Sequence, residues 1–232
     1  MISPALMHRC ADEGISLVLL NDHGRFKARL EGAVSGNILL RRAQHQQAGA
    51  PVFALEIARA FIAGKIKNSR YVLQRGARDA NDDEDAKTLR AAAEHLAASL
   101  RAAAGAADLD ALRGVEGEAA KTYFEAMPAL VRRDARPAFG MNGRSRRPPR
   151  DRFNALISFL YSMLMNDCRS ALETVGLDPQ LGFLHAVRPG RAALALDLME
   201  EFRAIAADRL ALTLVNRGQV TEKDFREREG GA

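Results

Sequence analysis

Tryptophan is absent from the 232-residue chain, and tyrosine occurs only three times. A platform that grips single-stranded nucleic acid by base stacking needs a row of aromatic faces, and this composition argues against one. Cysteine is equally scarce. Cys10 and Cys168 have no CxxC spacing and are too few for a disulfide framework, so both read as buried, reduced thiols. No apolar run reaches the ~18 residues a membrane span requires. The N-terminus is not a charged segment leading into a long apolar one. The chain therefore reads as soluble and cytoplasmic. Internal repeats are absent, and the only compositional bias is richness in alanine.

What is present is a globular composition, 47% hydrophobic, with a formal net charge of +5. The length is enough to bury a real core in one large domain or two smaller ones. The positive charge is unevenly spread. Arg144, Arg146, Arg147, Arg150 and Arg152 crowd together, Arg132, Arg133 and Arg136 lie just upstream, and Arg41 and Arg42 form a smaller pair. Clusters of this kind point to a polyanionic partner, most often a nucleic acid backbone.

Read in order, residues 1–34 look like the remainder of a small β-domain. SPALMHRCADEG predicts a short helix stopping at Gly14, ISLVLL a buried strand, NDHG a turn, and RFKARLEG a second, half-exposed strand. Two strands and a short helix make a poor independent unit, because an isolated hairpin is marginal in water. After a connecting segment at 35–50, residues 51–232 read as mainly α-helical. Helices are expected over about Val52–Arg75, Ala86–Ala104, Leu109–Met127 and from an Asp151 N-cap to Gly176. The class is α+β. Tyr161 and Met165 read as core residues, and His95 as structural or exposed.

Two places carry chemistry. Between Leu109 and Met127, Gly114 and Gly117 flank Glu116, and two glycines inside a helix cost on the order of 2 kcal/mol relative to alanine. Either they permit close helix packing, or they clear the backbone around Glu116 for a bulky ligand. The second place is GFLHAVRPGRAALALDLMEEFR, Gly182 to Arg203. Leu194, Ala195, Leu198, Met199, Phe202, Ile205 and Ala206 recur at helical spacing, which leaves Asp197, Glu200, Glu201 and Asp208 outside the apolar arc. Asp197 and Glu200 share a face at i,i+3, and the Pro189-Gly190 turn lets His185 fold back toward them. Acids on such a face are ordinarily solvated, and a metal site needs a third ligand from elsewhere. Glu116 is the candidate.

Taken together, RGVEG with Glu116, the GRSRRPP loop, NALISF at 154–159, GFLH with His185 and LALDLMEEFR with Glu200 resemble the integrase/endonuclease of CRISPR spacer acquisition, closest to its subtype I-C branch. SPALM, GRFKARLEG, SGNILLRRAQ and IARAFIAGKIKNSR follow in the family's order. The resemblance runs from about Ser3 to the end. It implies an N-terminal β-domain followed by a helical catalytic domain, acting as a homodimer with a small ferredoxin-like companion subunit on double-stranded DNA, protospacer and CRISPR repeat alike. Relative to that family the chain looks truncated at both ends. The implied metal ligands are Glu116, His185 and Glu200, the last a Glu where much of the family has Asp, with Asp197 supporting them. Carboxylates with one imidazole suit Mg²⁺ or Mn²⁺. The implied reaction is transesterification, a 3′-hydroxyl attacking a phosphodiester, with Arg41, Arg42, Arg144, Arg146 and Arg147 as candidate DNA contacts. A catalytically silent DNA-binding fragment is the alternative, and a helical scaffold with incidental acids would leave Glu116 and Glu200 far apart.

Overall fold

The computed structural model describes residues 2–21, 26–32 and 37–226. Most of the NDHG turn, the start of the 35–50 segment and the last residues of the polar tail lie outside them. Helix α1 (Pro4–Asp12) starts where the Ser3 hydroxyl accepts from Leu6 N. Strands β1 (Leu17–Leu20) and β2 (Phe26–Leu30) pair antiparallel, Leu17 opposite Leu30, with an irregularity at Leu19/Leu20. Then follow α2 (Ile38–Ala48), α3 (Pro51–Asp79), α4 (Asp83–Ala104), α5 (Leu109–Ala126), a one-turn α6 (Arg136–Phe139), α7 (Arg152–Thr174), α8 (Ala193–Phe202) and α9 (Arg209–Asn216).

Helix starts obey local chemistry. Asp82, Asp108 and Asp151 each cap a helix by accepting from backbone N–H groups, and Pro51 stands at the first position of α3. Helix α8 has no side-chain cap. Its leading donors, Leu194 N and Ala195 N, go instead to the Pro179 carbonyl at 2.9 and 3.3 Å. Between α8 and α9 the chain takes a π-helical turn, Arg203–Asp208, where a continuous helix was the expectation. Helix α3 also runs one turn beyond the expected Arg75.

The main core lies between α3, α4 and α5, with Ile62, Ile66, Leu73, Leu89, Leu96, Leu112, Phe153 and Ile157 essentially inaccessible. Alanines at 58, 92, 93 and 119 keep the helices close. A smaller cluster of Cys168, Leu172, Leu194, Ala195 and Met199 joins α7 to α8. Both cysteines are buried and free, and burial pushes the Cys168 thiol up to about 11.

The N-terminal elements are tied to this body by polar anchors. Arg29 on β2 pairs with Glu31 at 2.7 Å and with Glu173 on α7 at 2.5 Å. Gln44 on α2 is buried, donates to the carbonyls of Asp178 and Leu181, and accepts from Asp178 N. No helix among the described residues is long and apolar enough to cross a membrane.

Asp197, Glu200 and Asp208 lie outside the apolar arc, where acids are ordinarily solvated, yet here they are buried. They are 0%, 4% and 1% exposed. The reason is that α8 and the π-turn are packed between α3 and α7, so the polar side of this segment meets side chains rather than solvent.

Candidate functional site

The site begins with a loop held by one carboxylate. Asp197, one turn into α8, accepts backbone N–H bonds from Phe183 (2.6 Å), Leu184 (3.0 Å) and His185 (2.9 Å), and meets His185 Nδ1 at 2.6 Å. Four donors on two oxygens offset the burial of a charge that would otherwise be prohibitive. The loop can lie this close because residue 182 is glycine. A Cβ there would stand 2.7 Å from both Asp197 Oδ2 and the Ala193 carbonyl carbon. A carboxylate only accepts, so Nδ1 carries the ring proton and, in the neutral ring, Nε2 is left as a lone pair. That nitrogen faces Glu200 Oε1 at 3.9 Å.

Glu200 is gripped from two sides. Arg203 Nη2, one turn on, lies 2.9 Å from Oε1, and Lys65 Nζ on α3 lies 2.7 Å from Oε2. Burial pushes the Glu200 carboxyl up, and the charges of Lys65 and Arg203 more than offset it, so the group stays below the usual carboxylate range. The same Lys65 ammonium is in direct contact with Glu116 Oε1 on α5. Asn68, one turn further along α3, donates to the Glu201 carbonyl at 2.8 Å, and Arg113 on α5 donates to the Leu184 carbonyl at 2.6 Å. Three helices and the GFLH loop are thus pinned to one another around the acids.

Glu116, His185 and Glu200 are therefore brought together, and the scaffold reading that would separate Glu116 from Glu200 is overturned. Among the described residues, however, no three His, Cys, Asp or Glu side chains stand ready as a metal cage. The carboxylates of Glu116 and Glu200 meet on Lys65 instead. The donor set itself suits a hard or borderline divalent ion: two carboxylates that already share one cation, and an imidazole oriented through Nδ1 by a buried acid, as metal-ligating histidines usually are.

Behind this cluster lies another, built around Tyr161, which is buried as expected of a core residue. Tyr161 and Tyr123 donate to the two oxygens of Asp208 at 2.7 and 3.1 Å, and the Arg203 guanidinium stacks over Tyr161 at 4.9 Å. Burial drives both phenols well above their ordinary value and pushes Asp208 up to about 6 against the pull of the tyrosines, Arg203 and Arg144.

Of the arginines, Arg42, Arg146 and Arg147 are exposed. Arg144 is not a free cation: its guanidinium bonds Asn154 Oδ1 at 2.7 Å and Ser158 Oγ at 3.0 Å and lies over the rings of Tyr161 and Phe124. Arg41 donates to the Gly176 carbonyl at the end of α7. Arg133 and Arg136 pair with Asp82 and Asp85 at the head of α4, at 2.7 and 2.6 Å. Arg41 and Arg144 are thus bonded within the fold, whereas the other three candidate DNA contacts are exposed.

Lys65 and Arg203 were missed. Each had a signal: Lys65 lies among Phe61, Ile62, Ile66 and Ser69 on the buried side of a helix, where an unpaired charge is not tolerated, and Arg203 follows Glu200 at i,i+3.

The whole chain, residues 1–232, matches the family model described as CRISPR associated protein Cas1. It is 54% identical over 231 residues to the CRISPR-associated endonuclease Cas1 1 of Moorella thermoacetica, an alignment that takes in 100% of this chain and 67% of that one. In fold it is similar to a casposase bound to its integration product, with a TM-score of 0.80 and 25% identity, covering 99% of this chain and 61% of the casposase. It is also similar to a chain of a Cas6-RT-Cas1–Cas2 complex, with a TM-score of 0.77 and 26% identity, covering 98% of this chain and 24% of that one. The chain thus spans about two thirds of its relative's length. A match along every residue, together with identity of this order to a Cas1 endonuclease, means that the chain belongs to the Cas1 family of CRISPR-associated proteins.

Proposed function

We propose that this protein is a divalent-metal-dependent DNA endonuclease and integrase that inserts short DNA fragments into a CRISPR array. The observation that supports it above the others is the meeting of Glu116 and Glu200 beside the Nε2 face of His185. These three residues would hold Mg²⁺ or Mn²⁺. When bound, the ion would lower the pKa of an attacking 3′-hydroxyl and neutralise charge on the phosphoryl oxygens. The protein's own residues do the rest. Asp197 fixes the GFLH loop and the protonation of His185, Arg203 and Lys65 keep Glu200 ionised, and the exposed Arg146, Arg147 and Arg42 position a duplex by its phosphates without reading its bases. The partners are double-stranded DNA, a second copy of the chain and the small ferredoxin-like companion subunit; the casposase relative carries an integration product and the Cas1 chain of the larger complex is assembled with Cas2.

One observation favours the silent alternative: an ammonium already neutralises the two carboxylates. Strand transfer of a labelled duplex into a repeat-containing plasmid, with Mg²⁺ or Mn²⁺, separates the two readings. Integration by the wild type that drops by 10³-fold or more in Glu116→Gln and His185→Ala is expected. Salt-dependent DNA binding without turnover by the wild type would favour the silent fragment.

A further inference from the structure

The position of Lys65 has a role beyond neutralisation. Its Nζ stands between Glu116 Oε1 and Glu200 Oε2, where a cation shared by both carboxylates belongs. Arg203 is held elsewhere, by Glu200 Oε1 and the face of Tyr161. The backbone of α3 is anchored independently by Asn68 on the Glu201 carbonyl, so the lysine side chain can leave without moving its helix. The Lys65 side chain is itself 12% exposed, and its neighbour on α5 is more open. Glu116 is 28% exposed, and Gly114 and Gly117 beside it have no atom within 4 Å of where a Cβ would be. Lysine suits such a post, being a point charge on a flexible four-carbon stem, whereas arginine's planar fork is built for fixed, paired contacts.

We propose that Lys65 is a resident place-holder cation: its ammonium holds Glu116 and Glu200 together until a divalent ion displaces it, so that metal uptake is an exchange of one cation for another. This rests on the reading of Glu116, His185 and Glu200 as cation ligands. Without the lysine only Arg203, on Glu200 Oε1, offsets the two carboxylates, and the site becomes a stronger attractor for Mn²⁺ while the metal-free protein loses stability.

The test is Mn²⁺ binding to the full chain, followed by the loss of the free-ion electron paramagnetic resonance signal, for wild type, Lys65→Met and His185→Ala. Lys65→Met, which keeps the stem and removes the charge, is expected to bind Mn²⁺ roughly tenfold more tightly than wild type, and His185→Ala to bind it weakly. A purely structural lysine predicts the opposite, weaker binding in Lys65→Met because its ligands splay, and that result or an unchanged affinity overturns the proposal while leaving the ligand assignment intact. Should wild type and Lys65→Met take up no Mn²⁺ that His185→Ala abolishes, the ligand assignment itself falls, and this proposal with it. If Lys65→Met fails to fold, the wild type still decides: acetylation of Lys65 by an amine-reactive ester, quantified by mass spectrometry, is expected to rise several-fold when Mn²⁺ is added and to be unmoved by Mn²⁺ in His185→Ala. An acetylation rate indifferent to Mn²⁺ in a wild type that binds it overturns the proposal.

Discussion

Asp197 and Asp208 are both buried carboxylates on the same stretch of chain, and they are held by different kinds of donor. Asp197 receives three backbone N–H groups and an imidazole, fixed donors that serve its anion. Asp208 receives two phenol hydroxyls, with Arg203 and Arg144 acting from a distance, and burial outweighs them, leaving it at about 6 against an ordinary 3.8. A carboxyl raised in the folded state holds its proton more tightly there than in the unfolded chain. Its contribution to stability is fully present below pH ~4 and is lost as pH rises through about 6. A shift of roughly two units corresponds to about 3 kcal/mol. Asp208→Asn removes that titration. The difference in Tm between variant and wild type is therefore expected to move in the variant's favour between pH 4.5 and pH 7.5, by several degrees. Thermal melts across that range check it, and a constant difference would mean that Asp208 does not titrate there.

At the scale of single elements, α5 carries the least expected feature. Close packing was the plain explanation for Gly114 and Gly117, and it does not apply, since a Cβ at either would meet nothing within 4 Å. What the glycines leave open is the surface on either side of Glu116. Replacing both by alanine is expected to stabilise the helix by about 1–2 kcal/mol and raise Tm by a few degrees. If the proposed site is where a duplex approaches, two methyl groups beside Glu116 are expected to lower strand transfer at least tenfold all the same. Melting curves read beside integration assays test the pair, and a variant that is both stabilised and fully active would leave the glycines without a functional cause. The helices themselves were legible because their signals are local: an Asp before each of α4, α5 and α7, a proline opening α3, apolar spacing in between. The π-turn after α8 was not, since its residues keep the apolar spacing and the extra residue per turn is set by what Arg203 and Asp208 reach across the chain. The site was half legible. Glu116, His185 and Glu200 belong to motifs, and the structure does bring them together. Lys65 acquires its meaning only when α3 crosses α5 and α8, a long-range event with no trace beyond a charge out of place in an apolar face.

For the molecule as a whole, a net charge of +5 says less than where each cation is spent. Arg144, Arg41, Arg133 and Arg136 are committed to internal partners, so clustering in sequence overstates the charge available to a polyanion. Arg146 and Arg147, in the same cluster as Arg144, are exposed. The two kinds of arginine should separate in one experiment, because a phosphate contact releases a counterion and a structural contact does not. For duplex DNA each neutralised phosphate contributes about 0.9 to the slope of log K against log salt. Arg146→Ala combined with Arg147→Ala is expected to flatten that slope by roughly 2 while Tm hardly moves. Arg144→Ala is expected to do the reverse, lowering Tm by several degrees through the loss of buried bonds to Asn154 and Ser158 and leaving the slope of the folded fraction unchanged. Fluorescence anisotropy with a labelled duplex over a range of salt concentrations, run beside thermal melts, measures both quantities. If Arg144→Ala flattened the slope as much as the exposed pair, its guanidinium would have to leave the interior to meet DNA, and the division between structural and surface arginines drawn from their bonding would be wrong.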